Sequence, residues 1–320
     1  MTAEFMIGVI DDAKTEFPNL AMVIFSGGEC FMLKDELYKT ITYATSVGLK
    51  TRCVTNGFWG ARIDSATRIV DILGDAGLTE CNISTGVDHQ QWVPFQSVRN
   101  CAEQLTRSGI RTVITVEKDT AESRCWVEVT EDAELAALMN MSPGVLTLQC
   151  NTWMPFKADS AARGNSTNPS LEQGCGQLFS NFVVTPYREV AACCGLTFEH
   201  IPEMKLGTYS SGSIASRIDE LADDFLKIWI HLDGPKNVVR AILGTSHAGI
   251  EGAVHICEAC AILHQDPALR EGLKKNYQRF VADVMGRFSV KNFLAATLAK
   301  GGVPIEVIKQ SIKRLEVDNV

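Results

Sequence analysis

In the first half of the chain, segments whose hydrophobic positions have the spacing of a helix alternate with short segments that are typical of strands. Between residue 4 and about 165, segments with helical periodicity are separated by short apolar runs. This alternation is typical of repeated βα units around a parallel sheet. Strands are predicted at 21–26, 50–55, 80–84, 112–117 and 145–151. Helices are predicted at 5–16, 34–47, 65–73, 95–107 and 131–140. The pattern therefore predicts an α/β fold with a parallel sheet.

The second half of the chain has a different pattern, which begins after a polar linker at 165–170. Residues 181–195 predict a β-hairpin with its turn near Pro186 and two adjacent cysteines at the end of its second strand. Helical periodicity follows at about 213–231, 236–243 and 267–316. We therefore predict a first domain over 1–165, a cysteine-rich domain over 166–264 and a helical tail over 265–320.

Composition and charge narrow the class of protein. The 320 residues carry 38 acidic and 30 basic side chains, a formal charge of −8, and 46% of them are hydrophobic. Such a chain can bury a substantial core. The sequence shows neither an apolar run long enough to cross a bilayer nor a signal peptide, so we expect a cytoplasmic protein without a membrane partner. The acidic balance, with no basic stripe, argues against nucleic acid as a partner.

Eleven cysteines are the unusual feature of the composition. In a reducing compartment we expect them to be buried hydrophobic residues or metal ligands rather than disulfides. Six lie in the apolar segments of the first half and are predicted to be packing residues: Cys30, Cys53, Cys81, Cys101, Cys125 and Cys150. Five lie between positions 175 and 260 and are predicted to include ligands: Cys175, Cys193, Cys194, Cys257 and Cys260.

Candidate binding residues follow the predicted strands. A parallel βα array places its chemistry on the loops after the carboxyl ends of the strands. The first of these ends is Gly27-Gly28-Glu29, where glycines allow a ligand to approach the backbone and oxygen atoms can accept hydrogen bonds from an ammonium group. Taken alone, this tripeptide also fits an ordinary turn.

Taken in order, these strand ends resemble the radical S-adenosylmethionine (SAM) superfamily. The stretches 23–29, 33–37 and 48–57 resemble its second strand, the following helix and its third strand, and 82–89 is similar to its fourth strand and loop. The resemblance spans about 5–165 and implies a partial (β/α)6-type barrel that lacks its first strand. It implies a SAM-binding cleft formed by Gly27, Gly28, Glu29, Asn56, Ser84, Glu117 and Arg163. Within that cleft the Gly-Gly-Glu segment would meet the methionyl amino group, and Arg163 would pair with a carboxylate.

One motif of that superfamily is missing from this sequence. Its members carry Cys-x3-Cys-x2-Cys after the first strand, and these thiolates hold the 4Fe-4S cluster that binds SAM. No such spacing precedes Gly27, and Cys30 alone cannot replace three thiolates. We therefore expect no SAM cleavage by residues 1–320 alone. Of two explanations, a longer reading frame is favoured over a paralogue that has lost the chemistry, and a second 4Fe-4S cluster is expected only with such a segment.

The later cysteines resemble the auxiliary-cluster domains, of the SPASM or the shorter twitch type, that follow the barrel in many radical SAM maturases. The hairpin with a cysteine at its end and the distant Cys-x2-Cys pair carry this resemblance. It implies one auxiliary 4Fe-4S cluster on Cys175, Cys193, Cys257 and Cys260, with Cys194 as the alternative to Cys193. Structural zinc is the alternative to the cluster, with His255 or His264 as further ligands.

The expected function follows from these resemblances. A radical SAM-type maturase uses a 5′-deoxyadenosyl radical to abstract hydrogen from a peptide or small-molecule substrate, with an electron donor protein as partner. A ribosomal peptide precursor is our first expectation for the substrate. The alternative is a non-catalytic paralogue that keeps the iron-sulfur or zinc module as a scaffold. A third hypothesis, an ordinary βα-barrel enzyme with structural zinc, leaves the set of strand-end motifs unexplained.

Overall fold

A computed structural model describes residues 1–117, 123–152, 169–193 and 201–299 of the protein. Its first half contains a five-stranded parallel sheet in which neighbouring strands follow the order of the sequence. The strands are β1 (Met22–Phe25), β2 (Lys50–Thr55), β3 (Glu80–Thr85), β4 (Arg111–Glu117) and β5 (Leu146–Asn151). Each lies within one residue of its predicted bounds, so the α/β class and the parallel sheet are confirmed. The sequential order is compatible with part of a βα barrel.

One helix precedes β1, and further helices connect the strands. They are α1 (Ala3–Glu16), α2 (Asp35–Ser46), α3 (Ile63–Asp75), α4 (Val87–Gln90), α5 (Phe95–Arg107), α6 (Arg124–Thr130) and α7 (Ala133–Met141). The predicted helices are confirmed, and two short ones, α4 and α6, were not predicted. Both lie in loops that follow strands, and helices of four and seven residues are shorter than the window over which helical periodicity can be recognised.

One face of the sheet packs on the helices. Strand residues such as Cys53 and Ile83 share a buried cluster with Leu37 of α2 and Leu105 of α5. Because side chains alternate along a strand, the residues between them point to the opposite face. That face is more open near β1, where Ile24 is 46% exposed. The sheet therefore presents a covered face and a partly open one, and the loops at its carboxyl edge border the open face.

The second half contains a smaller antiparallel sheet. Strands β6 (Val183–Val184) and β7 (Glu189–Ala191) form the predicted hairpin, and β8 (Lys205–Thr208) pairs with β7. The third strand was not predicted, because a four-residue run that contains a glycine carries little strand signal. Its hydrogen bonds with β7 fix the end of the hairpin from which Cys193 follows.

Six helices complete the described part of the chain. They are α8 (Ile214–Asp219), α9 (Phe225–Leu243), α10 (Ala248–Glu251), α11 (Ile256–Gln265), α12 (Pro267–Asn276) and α13 (Gln278–Ala299). A second buried cluster forms around Trp229 of α9 and includes Leu269 of α12 and Phe288 of α13. The predicted tail thus packs on the same core as the cysteine-rich segment, at least as far as residue 299.

Helix α9 is interrupted at Gly234, which has a φ of 78° and precedes Pro235. This glycine-proline pair matches the predicted end of one helix near 231 and start of another near 236. The start of α9 at Phe225 was not predicted, although Asp224 caps it by accepting a hydrogen bond from the Lys227 N–H at 3.1 Å.

Helix α1 contacts the loop after β8 in the second half of the chain. The Asp12 carboxylate accepts hydrogen bonds from the Ser211 hydroxyl at 3.0 Å and from the Gly212 N–H at 3.3 Å. Phe5 meets the Tyr209 ring edge to face, with centroids 5.6 Å apart. These contacts seat the loop after β8 on a helix that also packs against α2. Among the described residues, no helix is both long and apolar enough to cross a membrane.

Candidate functional site

The loop after β1 is tied to the end of β2 by Glu29. One of its carboxylate oxygens accepts a hydrogen bond from the Phe31 N–H at 3.1 Å and the other from the Asn56 N–H at 2.9 Å. The Thr55 hydroxyl lies 2.9 and 3.0 Å from the two oxygens. Thr55 also accepts from the Trp59 indole N–H at 3.3 Å. The carboxylate therefore links two adjacent strand ends.

A second carboxylate, Glu117 at the end of β4, makes the same kind of link to the loop after β3. Glu117 is only 1% exposed and accepts a hydrogen bond from the Val87 N–H at 2.7 Å. A Cβ atom at Gly86 would lie 2.4 Å from the Cβ of Glu117, so this approach requires glycine. Glu29 and Glu117 thus organise the carboxyl edge, each from one strand to the next.

The remaining predicted SAM contacts have different surroundings. Gly27 and Gly28 are exposed, and Gly27 has a φ of 92° with open space where a Cβ would stand. Asn56 uses its side-chain oxygen to accept from the Phe58 N–H at 3.0 Å, which leaves its NH2 group as a donor. Ser84 is half-buried on the partly open face. Arg163 lies outside the described residues.

The edge therefore combines an exposed glycine turn, a hydroxyl group and an amide group, with Glu29 and Glu117 holding the loops around them. Backbone carbonyls, hydroxyls and carboxylates are acceptors for an ammonium group, and an amide NH2 is a donor for a carboxylate. Such an edge can bind an amino acid moiety. His89, in the loop after β3, has its pKa lowered by burial, against the opposing effect of Glu117 and Asp88.

Four cysteines from three separate segments share one neighbourhood, which we call the thiol group: Cys175, Cys193, Cys257 and Cys260. Cys175 follows the 3-10 helix Pro169–Glu172, Cys193 follows β7, and the other two lie one turn apart in α11. Burial raises the pKa of the Cys260 thiol, and the charges of the other three raise it further. Cys194 lies outside the described residues.

The donor set of the thiol group fits a 4Fe-4S cluster in number and in chemistry, because such clusters take four thiolates. Zinc also takes four thiolates, with Zn–S bonds of about 2.3 Å, so the type of ligand alone does not separate it from a cluster. In the described ranges, which include all four of these cysteines, no three or more His, Cys, Asp or Glu side chains form a group that could hold a metal ion, so the fit is one of ligand number and ligand type.

The two histidines considered as zinc ligands contact the backbone of the cysteines in α11. The Nδ1 atom of His255 accepts a hydrogen bond from the Cys257 N–H at 3.1 Å. The Nδ1 atom of His264 lies 2.8 Å from the Cys260 carbonyl oxygen. Burial is the main cause that lowers the pKa of both rings. Each ring thus has its Nδ1 atom committed to local structure.

A third histidine, His231 of α9, approaches the thiol group from a distant part of the chain. Its Nδ1 atom lies 3.0 Å from the Cys175 carbonyl oxygen. Burial and the Lys291 ammonium lower its pKa, against the opposing effect of the carbonyls of Cys175 and Leu178. Sequence reasoning missed this residue. The available signal was the Gly-Pro pair three residues later, which interrupts the helix beside it.

The cysteines of the first half are mostly packing residues, as predicted. Cys30, Cys53, Cys81, Cys101 and Cys125 are buried. Burial raises the pKa of the Cys81 and Cys101 thiols, and a hydrogen bond with Cys30 together with burial raises that of Cys53. The prediction is wrong for Cys150, which is exposed. It lies near the end of β5, which is the edge strand of the described sheet.

Comparison with known proteins adds no family assignment. No protein-family model matches the chain, and the search of curated proteins finds no match. The geometry of the strand ends and of the thiol group is therefore the basis for a functional proposal.

Proposed function

We propose that this chain is the barrel and auxiliary-cluster part of a radical SAM-type maturase. The observation that carries the proposal is that the described strand-end residues follow neighbouring strands of one parallel sheet whose order is sequential, so that they lie along the same edge. SAM would bind at this edge, and the thiol group would hold one 4Fe-4S cluster. We further propose a reducing, cytoplasmic setting and a peptide or small-molecule substrate.

The edge supports SAM binding through its backbone. Gly27 has a positive φ and no neighbour near the Cβ position, so its peptide groups are open to a ligand. Carbonyl oxygens of this turn would accept hydrogen bonds from the methionyl ammonium. Ser84 lies two strands away on the partly open face and would border the same ligand. Glu29 would act by holding the turn against β2 and so fix the shape of the binding edge.

The thiol group supports the auxiliary cluster. A 4Fe-4S cluster supplies one-electron chemistry when bound, and four protein thiolates suit electron transfer better than direct binding of substrate. Cys175 and Cys193 come from loops, whereas Cys257 and Cys260 lie on α11, which packs against α9 in the second core. Helix α11 would hold Cys257 and Cys260 rigidly, and the loops would supply the other two ligands.

A second candidate function is the scaffold hypothesis, in which the same module holds iron-sulfur or zinc without catalysis. One observation favours it: the 320 residues contain no Cys-x3-Cys-x2-Cys spacing. The two functions differ in one product, 5′-deoxyadenosine. The test uses the protein with any upstream cluster segment included and with a reductant supplied. About eight irons and 5′-deoxyadenosine support the maturase, whereas at most about four irons and no product support the scaffold.

SAM binding is testable on the chain as it stands. Equilibrium dialysis with labelled SAM should show binding that Gly27→Ala weakens by about tenfold or more, because a Cβ there narrows the approach to the backbone. Gly48→Ala is the matched control. Gly48 has a φ of 85°, close to the 92° of Gly27, and also has open space at the Cβ position. It precedes β2 at the opposite edge of the sheet.

The two substitutions therefore place alanine at similar positive φ angles, and only Gly27→Ala lies at the proposed site. Loss of SAM binding in Gly27→Ala with retention in Gly48→Ala supports the site. Equal affinities in the two variants, or no SAM binding by the unmodified chain, would reject it.

A further inference from the structure

The backbone of Cys175 is held by the interruption in α9. Its N–H donates a hydrogen bond to the Ile230 carbonyl at 3.0 Å. In a regular helix this carbonyl would accept from the N–H four residues later, which belongs to Gly234. Gly234 leaves the helical conformation, with φ at 78°. The interruption thus allows a helix carbonyl to bind a residue from another segment.

Pro235 frees a second carbonyl in the same turn. Proline has no N–H group, so the carbonyl of His231, four residues earlier, cannot form its usual helical hydrogen bond. The chain at 173–175 lies directly against this turn. A Cβ atom at Gly174 would lie 2.3 Å from the His231 carbonyl oxygen, and one at Gly234 would lie 2.1 Å from the Gln173 carbonyl oxygen. Both positions therefore require glycine because the two backbones are in contact.

The His231 side chain binds the carbonyl group of Cys175, which is the other polar group of that residue's backbone. Its Nε2 atom lies 2.9 Å from the Lys291 Nζ atom. An ammonium group has only donors, so Nε2 must accept. In the neutral ring the proton then resides on Nδ1, which donates to the Cys175 carbonyl oxygen at 3.0 Å. Lys291 thereby fixes the tautomer that this contact needs.

We propose that the interrupted turn of α9, with His231, is the receptor that positions Cys175 for cluster binding. His231 is a positioning residue in this arrangement and not a ligand. Both backbone groups of Cys175 bind α9, one to Ile230 and one to His231. Phe179 and Phe288 pack beside the imidazole, with ring centroids 5.2 and 6.3 Å away. The inference rests on the proposed function, because it assigns to Cys175 the role of a ligand.

Three variants test this inference. His231→Leu removes the donor, whereas His231→Asn keeps an N–H group close to the position of Nδ1. The matched control is His247→Leu, which removes a histidine whose ring faces Asp266 at 3.4 Å. Far-UV circular dichroism establishes that each variant is folded.

The first readout needs no iron. Hydrogen exchange of the peptide that contains Cys175, measured on the metal-free chain, should be about tenfold faster in His231→Leu, equivalent to about 1.4 kcal/mol, a usual value for a lost hydrogen bond. His231→Asn and His247→Leu should exchange at the wild-type rate. An unchanged rate in His231→Leu would overturn the inference.

The second readout concerns the cluster. After anaerobic reconstitution, His231→Leu should hold fewer irons than wild type, and its oxidised form should show the EPR signal of a three-iron cluster, because a poorly held fourth ligand is lost first. His231→Asn should restore the wild-type spectrum. If His231→Leu has the iron content and the spectrum of the wild type, the positioning role of His231 is overturned, whereas the auxiliary cluster of the proposed function is not. A wild-type chain that binds no iron would instead overturn the auxiliary cluster of the proposed function.

Discussion

Replacing Glu29 tests whether this carboxylate holds the loops together or is reserved for a ligand. Glu29→Gln keeps the size of the side chain but turns one acceptor oxygen into an NH2 group. The carboxylate accepts from Phe31, Thr55 and Asn56 at 2.9 to 3.1 Å. The amide would lose at least one of these hydrogen bonds and place its own N–H against another donor.

The magnitude follows from the surroundings of the carboxylate. A hydrogen bond to a charged group contributes about 1.5–3 kcal/mol, and Glu29 is only half-buried, so each contributes near the lower end. We expect Glu29→Gln to lower the free energy of unfolding by about 2–3 kcal/mol. With a urea m-value of about 3 kcal/mol/M for a chain of this length, the midpoint should fall by about 0.7–1 M.

Three further variants make the test specific. Thr55→Val should cost about 2 kcal/mol, because the hydroxyl also accepts from the Gly57 N–H at 3.1 Å. The double variant with Glu29→Gln should cost less than the sum by about 1 kcal/mol, as expected for residues in direct contact. Glu134→Gln is the control, because its carboxylate is 66% exposed and lies 3.4 Å from Arg99. Its effect should stay below about 0.5 kcal/mol.

Urea unfolding followed by far-UV circular dichroism measures all four proteins. If Glu29→Gln and Glu134→Gln have midpoints that agree within error, the carboxylate does not hold the loops and the structural role given to it here is wrong. A loss of SAM binding without a change in the midpoint would assign Glu29 to the ligand instead.

Three other predictions follow from burial and packing. Gly60→Ala should destabilise the protein by about 3 kcal/mol or more in urea unfolding, because its Cβ would lie 2.2 Å from a backbone oxygen. Gly8→Ala, in an open helical position, should instead stabilise the protein by about 0.5–1 kcal/mol. Equal effects of the two substitutions would contradict the packing around Gly60. Burial keeps the pKa of His89 below its usual 6.5, so the folded state binds fewer protons than the unfolded state and stability should fall as pH drops below about 6.5. The urea midpoint of His89→Asn should therefore fall less between pH 7.5 and 5.5 than that of the wild type. An equal fall in the two proteins would refute this role of His89. Iodoacetamide followed by peptide mass spectrometry should label exposed Cys150 in the native protein well before buried Cys81, whose pKa is raised, and the reverse order would be inconsistent with the fold.

The parallel sheet was predictable because short strand-like segments bounded by turns alternate with segments of helical periodicity. Residues 50–55, for example, were predicted with the bounds that β2 has in the structure. Helix α9 was partly predictable, because Gly234 and Pro235 mark its interruption, whereas its start at Phe225 was not predicted. Strand β8 was not, because its identity as a strand depends on pairing with β7 rather than on its own pattern.

The candidate site was predictable only as a set of residue types. The sequence places Glu29 and Glu117 after strands, but it does not show that each carboxylate accepts hydrogen bonds from the neighbouring loop. Those bonds depend on the relative positions of adjacent strand ends. The position of His231 beside Cys175 has the same origin, because the two residues are 56 positions apart and meet through the tertiary fold.

Iron and sulfide analysis of the anaerobically reconstituted chain tests the central claim most directly. We predict a brown protein with about four irons and four sulfides per chain, held by Cys175, Cys193, Cys257 and Cys260. Cys257→Ser combined with Cys260→Ser should abolish the cluster, whereas Cys150→Ser, an exposed thiol outside the thiol group, should retain it. A colourless wild-type protein that carries about one zinc and no iron or sulfide would contradict the account.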